Sequence, residues 1–205
     1  MNRLPFLRRR LLIKDPTAAF LSQYLCNHYH CRVLILVRHP GAFAMSLKRL
    51  GWGWHFKHFL DQTALIEDHL KELVPLMIKK NDSMAYQAGV LWLCIYTVLH
   101  DFYQADGNWK IVKHEDLSSN PLKEFRDVFQ WLGLTYDQRV VKRIVQLTGS
   151  ENRVEASNNK VHDLYRDSKK LVHYWKKTLS EEERTVLRNI TEPLAGKYYD
   201  DASWA

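Results

Sequence analysis

Arg38 and Ser46 are the pair in this chain best suited to hold an anion. Arg38 ends the apolar run Val33–Val37, which has the length and composition of a parallel strand covered on both faces. His39-Pro40-Gly41 follows, and a proline with fixed φ and no N–H suits the first turn of a helix. Ser46 then lies roughly 9 Å along that helix at about 1.5 Å per residue. Arg38 falls at the carboxyl edge of the strand, where ligands bind in open α/β sheets. Its planar fork of donors matches phosphate oxygens and stays charged at any working pH. On this pair alone, the competing use is a surface arginine capping a neighbouring carbonyl.

Three other places carry residues of the same chemistry. Lys14 closes the short run Leu11-Leu12-Ile13, which reads as a second strand. His114, Glu115 and Asp116 follow a third strand pattern, Trp109–Lys113. Adjacent acids in that position more often cap a following helix than act in catalysis. Arg166-Asp167-Ser168, with Trp175-Lys176-Lys177 after it, forms a late basic stretch. Cys26, His28, His30 and Cys31 resemble a metal set. On a helix, however, only Cys26 and His30 share a face, so no metal site is expected.

The elements that must position these groups alternate in type. Helices are expected over 17–30, 41–50, 62–80, 83–103, 122–132 and 137–148. The break at Asn81-Asp82-Ser83 supplies a cap, and Gly149 ends the helix before it. Residues 150–163 are polar and aperiodic, as in a loop. Ser180 with Glu183 is a capping box that opens the last helix. Strands alternating with helices argue for an α/β fold with a parallel sheet flanked by helices, in one domain over 1–205. Trp92, Trp131 and Trp175 are expected in the core. The aromatic run at 52–59, with His55 and His58, either packs on the sheet or walls an acceptor pocket.

Taken in order, these segments resemble the sulfotransferase family that uses 3′-phosphoadenosine-5′-phosphosulfate as sulfuryl donor. Arg38, Pro40 and Ser46 resemble its 3′-phosphate-binding segment. Lys14 stands where the family's strand ends in a Lys near the sulfuryl group. The strand before His114-Glu115-Asp116 resembles the one leading to the family's Tyr-Glu-Asp, with His114 in place of the Tyr of cytosolic members. Phe125 to Leu134 resembles the helix that follows, and Arg166 with Trp175-Lys176 the late segment that closes over the nucleotide. The resemblance implies a P-loop-NTPase-like fold. It also implies a nucleotide donor, a small-molecule or glycan acceptor bearing a hydroxyl or amine, and no metal. Arg38, Ser46, His114 and Arg166 would bind the co-substrate, and Lys14 would stabilise the bridging oxygen. Asp15, His55 and a carboxylate outside this chain stay open as general base.

None of the eight glycines begins a Gly-Thr-Thr or Gly-Lys-Ser/Thr run, and only thirteen residues precede Lys14. The expectation is therefore a chain truncated at its N-terminus, without the loop that cradles the 5′-phosphosulfate, and impaired or inactive by itself. A non-catalytic nucleotide-binding remnant and a P-loop kinase relative remain the alternatives. The chain has 205 residues, 46% hydrophobic and 26% charged, with a net charge of +7. These values suit a soluble globular protein whose basic surface attracts anions. No finger spacing or RNA-binding strand motif points to nucleic acid, no apolar run is long enough for a membrane, and three cysteines favour a reducing, cytoplasmic setting.

Overall fold

A computed structural model describes residues 11–105, 107–154 and 165–205. A 3₁₀ turn, Pro16–Leu21, runs into α1, Ser22–Tyr29. β1, Val33–Val37, then leads through a two-residue turn into α2, Pro40–Leu50. The long helix α3, Met84–Ala105, precedes β2, Trp109–Lys113, which passes directly into α4, His114–Ser119. α5, Pro121–Leu132, and α6, Gln138–Thr148, follow. Beyond the undescribed stretch come α7, Ser168–Leu171, α8, Trp175–Thr178, α9, Glu181–Ala195, and α10, Asp201–Trp204.

β1 and β2 pair in parallel, with Val33 opposite Trp109 and Val37 opposite Lys113. This register sets the turn after β1 beside the start of α4, so the two strand ends form one platform. α3 is the core element: Val90, Trp92, Cys94 and Val98 are fully buried along it. It packs against α2 and α9, and a Cβ on Gly89 would meet Ile190 at 3.3 Å, so glycine lets α3 and α9 approach closely. Several helix starts are capped by side chains. Asp137 accepts the N–H groups of Arg139 and Val140, Ser180 and Glu183 form the reciprocal capping box, and Ser83 accepts from Tyr86 N–H at 3.5 Å.

Several expectations need correction. Leu11-Leu12-Ile13-Lys14 is not a strand. Its apolar side chains are exposed, Leu11 by 87%, and it pairs with neither β1 nor β2. A strand needs a paired neighbour for its backbone polar groups, and four residues of local pattern do not provide one. β1 is covered on one face only: Ile35 and Val37 are buried while Leu34 and Leu36 are exposed. Five consecutive apolar residues read alike in both cases. Of the helix expected over 62–80, residues 63–78 are helical but irregular, with a π turn at Ile66–Leu70 and a 3₁₀ turn at Lys71–Leu73. Pro75, which has no N–H to donate backward, sits in the first turn of the helix Val74–Ile78 that follows. Trp131 is half-buried, not core, and lies under the Arg32 guanidinium. Gly149 does end α6, but with extended backbone. Most of the loop expected over 150–163 lies outside the described residues.

Candidate functional site

The site grows from the carboxyl end of β1. Arg38 is half-buried, and its Nη1 donates to Ser46 Oγ at 2.8 Å. The turn thus brings together the guanidinium and hydroxyl expected to act together. The backbone under Arg38 is fixed from α3. Trp92 Nε1 donates to the Arg38 carbonyl at 2.8 Å, and Tyr96 Oη donates to the Leu36 carbonyl at 3.0 Å. Both rings are buried, so these hydrogen bonds tie the strand end to the rigid centre of the molecule.

The neighbouring groups are mainly cationic or polar. Burial lowers the Arg38 pKa from its ordinary value; Glu115 opposes that shift and the charge of Arg166 adds to it. Arg166 therefore stands within electrostatic reach of Arg38. Its segment is held by Arg166 N–H on the Leu147 carbonyl and by Ser168 Oγ on the Ser118 carbonyl at 2.8 Å. His114 is depressed by burial and then by Arg38, so its imidazole is held neutral beside the guanidinium. Arg38, Ser46, His114 and Arg166 accordingly form one cluster. Lys14 does not join it. It lies on an exposed irregular segment, and among the described residues no hydrogen bond or ion pair links it to Arg38.

Arg38 Nε is buried and has no hydrogen-bond partner among the described residues. A buried, unspent guanidinium N–H is costly unless a ligand takes it, so this atom fits an anion better than a structural role. An oxygen-rich anion such as a phosphate presents enough acceptors to use Nε and share Ser46.

His39, the neighbour of Arg38, has a role that the sequence alone does not indicate. It is 2% exposed, its Nδ1 accepts Gly41 N–H at 3.1 Å, and its ring stacks on Trp175 at 4.5 Å. Tyr199 and Trp204 meet the same ring edge-on at 4.8 and 4.4 Å. Burial, with help from Lys176 and His173, pushes its pKa down to about 3. Glu115, expected with Asp116 to cap the helix that follows, instead reaches across to the β1 turn. It accepts His39 N–H at 3.0 Å and Tyr199 O–H at 2.9 Å. Its partners come from distant parts of the chain, so no local signal could have found them. Asp116, by contrast, meets Lys113 at the surface at 3.6 Å.

The other candidates separate from this cluster. In the 52–59 run, Phe56 and Phe59 are buried while Trp52 and Trp54 are exposed, and Phe59 meets Phe20 edge-on at 5.4 Å. His55 and His58 face solvent. Cys26 Sγ donates to the Cys31 carbonyl at 3.1 Å, and Cys94 is buried in α3. Among the described residues no group of acids, histidines and cysteines has the arrangement of a metal centre, and no helix is long and apolar enough to cross a membrane.

With this geometry established, comparison with known proteins gives two findings. Residues 10–199 match the family described as "Sulfotransferase domain". Carbohydrate sulfotransferase 1 of Danio rerio is 32% identical over 95 residues, a stretch that covers 44% of this chain and 22% of that protein. The aligned segment is thus about a fifth of the relative's length.

Proposed function

The chain belongs to the sulfotransferase domain family, and from that premise we propose that it transfers a sulfuryl group from 3′-phosphoadenosine-5′-phosphosulfate to an acceptor hydroxyl or amine. The observation that carries this reading is the Arg38–Ser46 pair with its buried, unspent Nε. Arg38 and Ser46 hold the donor's 3′-phosphate, and Arg166 adds positive charge to the same anion. His114, neutral beside Arg38, contacts the nucleotide without repelling Arg38. The donor supplies the activated sulfuryl group. The residues here select that donor over an adenosine phosphosulfate without a 3′-phosphate, because only the former satisfies the guanidinium. Lys14, exposed and outside the Arg38 cluster, would meet charge on the bridging oxygen only if its segment approached the cluster when substrates assemble. A glycan is the favoured acceptor, since the zebrafish relative is a carbohydrate sulfotransferase by name.

The test is release of 3′-phosphoadenosine-5′-phosphate from the phosphosulfate on addition of a glycan panel. Acceptor-dependent release that falls in Arg38→Ala supports the reading. Release from the donor lacking the 3′-phosphate at an equal rate overturns the role of Arg38.

A further inference from the structure

We propose that Glu115 is a positioning residue for Arg38, clamping the peptide between Arg38 and His39 so that the guanidinium is presented in one orientation. This rests on the reading of Arg38 as the anion-binding group. The two polar atoms of that peptide are held from opposite sides of the fold. Its C=O, on Arg38, accepts Trp92 Nε1–H from α3 at 2.8 Å, and its N–H, on His39, donates to Glu115 Oε1 at 3.0 Å. A peptide plane gripped at both ends cannot rotate, so ψ of Arg38 and φ of His39 are fixed together. The Cα–Cβ direction of Arg38 follows from them.

The parallel register explains why Glu115 reaches this peptide. Val37 pairs with Lys113, which places the second residue of α4 beside the second residue after β1. The carboxylate is itself held: Oε2 accepts from Tyr199 Oη at 2.9 Å, and the Tyr199 ring packs on His39 at 4.8 Å. The C-terminal segment, the α4 turn and the β1 turn are thereby joined through one side chain. Among the described residues no hydrogen bond runs from Glu115 to the Arg38 guanidinium; the carboxylate oxygens serve His39 N–H and Tyr199, Nη1 serves Ser46, and Nε is left for a ligand. Glu115 adds a negative charge close enough to favour the charged guanidinium. Asp116, paired with Lys113 at the surface, has no such part.

The experiment reads Arg38 directly, with or without a ligand. Solvent exchange of the buried Arg38 Nε–H is measured by nuclear magnetic resonance in ¹⁵N-labelled wild type, Glu115→Ala, Glu115→Gln and Tyr199→Phe. The buried amides of Leu187 and Thr191 in α9 report global opening. Glu115→Ala is expected to speed Arg38 exchange about tenfold, the order set by loss of a charge-assisted hydrogen bond, with α9 unchanged. Glu115→Gln keeps an acceptor for His39 N–H and an amide that can donate to Tyr199, so it stays within about twofold of wild type. Tyr199→Phe gives a smaller rise in the same direction and serves if the alanine variant does not fold. Arg38 exchange at the wild-type rate in Glu115→Ala, or in Tyr199→Phe in its stead, overturns the proposal. So does an equal rise at Arg38 and α9, which would make the role purely structural. Parallel titration with 3′-phosphoadenosine-5′-phosphate separates the two claims. Faster Arg38 exchange in Glu115→Ala, together with no nucleotide binding by wild type, sinks the nucleotide reading and leaves the clamp standing.

Discussion

His39 should make this protein lose stability on mild acidification, by an amount the structure sets. In the folded state its pKa is about 3, against 6.5 for an ordinary histidine, because burial among Trp175, Tyr199 and Trp204 disfavours the imidazolium. The unfolded chain therefore binds a proton that the folded chain refuses. The sign follows: stability is fully present above pH 6.5 and drains away as pH falls toward 3. Between pH 7.5 and 4.5 this one group removes about 2.7 kcal/mol, at 1.36 kcal/mol for each unit below the unfolded pKa. Protonation would also take Nδ1 away from Gly41 N–H and so uncap α2. The assay is urea unfolding at the two pH values for wild type and His39→Asn. The asparagine oxygen can still accept Gly41 N–H, but the group no longer titrates. Lost ring packing lowers the variant at both pH values, so the comparison is of slopes. Wild type should lose roughly 2–3 kcal/mol more than the variant on acidification. Equal losses would refute the assignment of His39 as a buried neutral group.

Other substitutions test separate links. Gly41→Ala places a Cβ 2.3 Å from Cε3 of the buried Trp175 ring, and thermal unfolding should show a loss of at least about 1–3 kcal/mol. Ser180→Ala removes one half of the capping box on α9 and should cost about 0.5–2 kcal/mol by urea titration, with nucleotide affinity unchanged. Ser46→Ala takes away the hydroxyl that accepts from Arg38 Nη1. Calorimetry should show several-fold weaker binding of 3′-phosphoadenosine-5′-phosphate with stability within about 1 kcal/mol of wild type.

The parts of the fold legible in the sequence are those whose signals are local. Pro40 after an apolar run marked the β1–α2 turn, and the Arg38–Ser46 spacing became a 2.8 Å hydrogen bond. Ser180 with Glu183, and Asp137, marked true helix starts. The parallel β1–β2 pairing followed from the alternation of strand and helix patterns. What failed depended on partners elsewhere. Leu11-Leu12-Ile13 has a strand's composition but no neighbour to pair with among the described residues, and Leu34 and Leu36 look buried until their exposed sheet face is seen. Trp131 reads as core because size and apolarity do not distinguish a buried ring from one half-covered by Arg32. Glu115 and His39 were the deeper omission. Each acquires its role from residues about 76 to 165 positions away, and that closeness arises only in the folded chain.

The central claim is that Arg38 and Ser46 hold the 3′-phosphate of the donor nucleotide. The most direct measurement is calorimetric titration of the chain with 3′-phosphoadenosine-5′-phosphate, in wild type and in Arg38→Ala. The account predicts saturable binding by wild type and at least about tenfold weaker binding by the variant, with both folded. Equal affinity in the two proteins, or no binding by a folded wild-type chain, would contradict it.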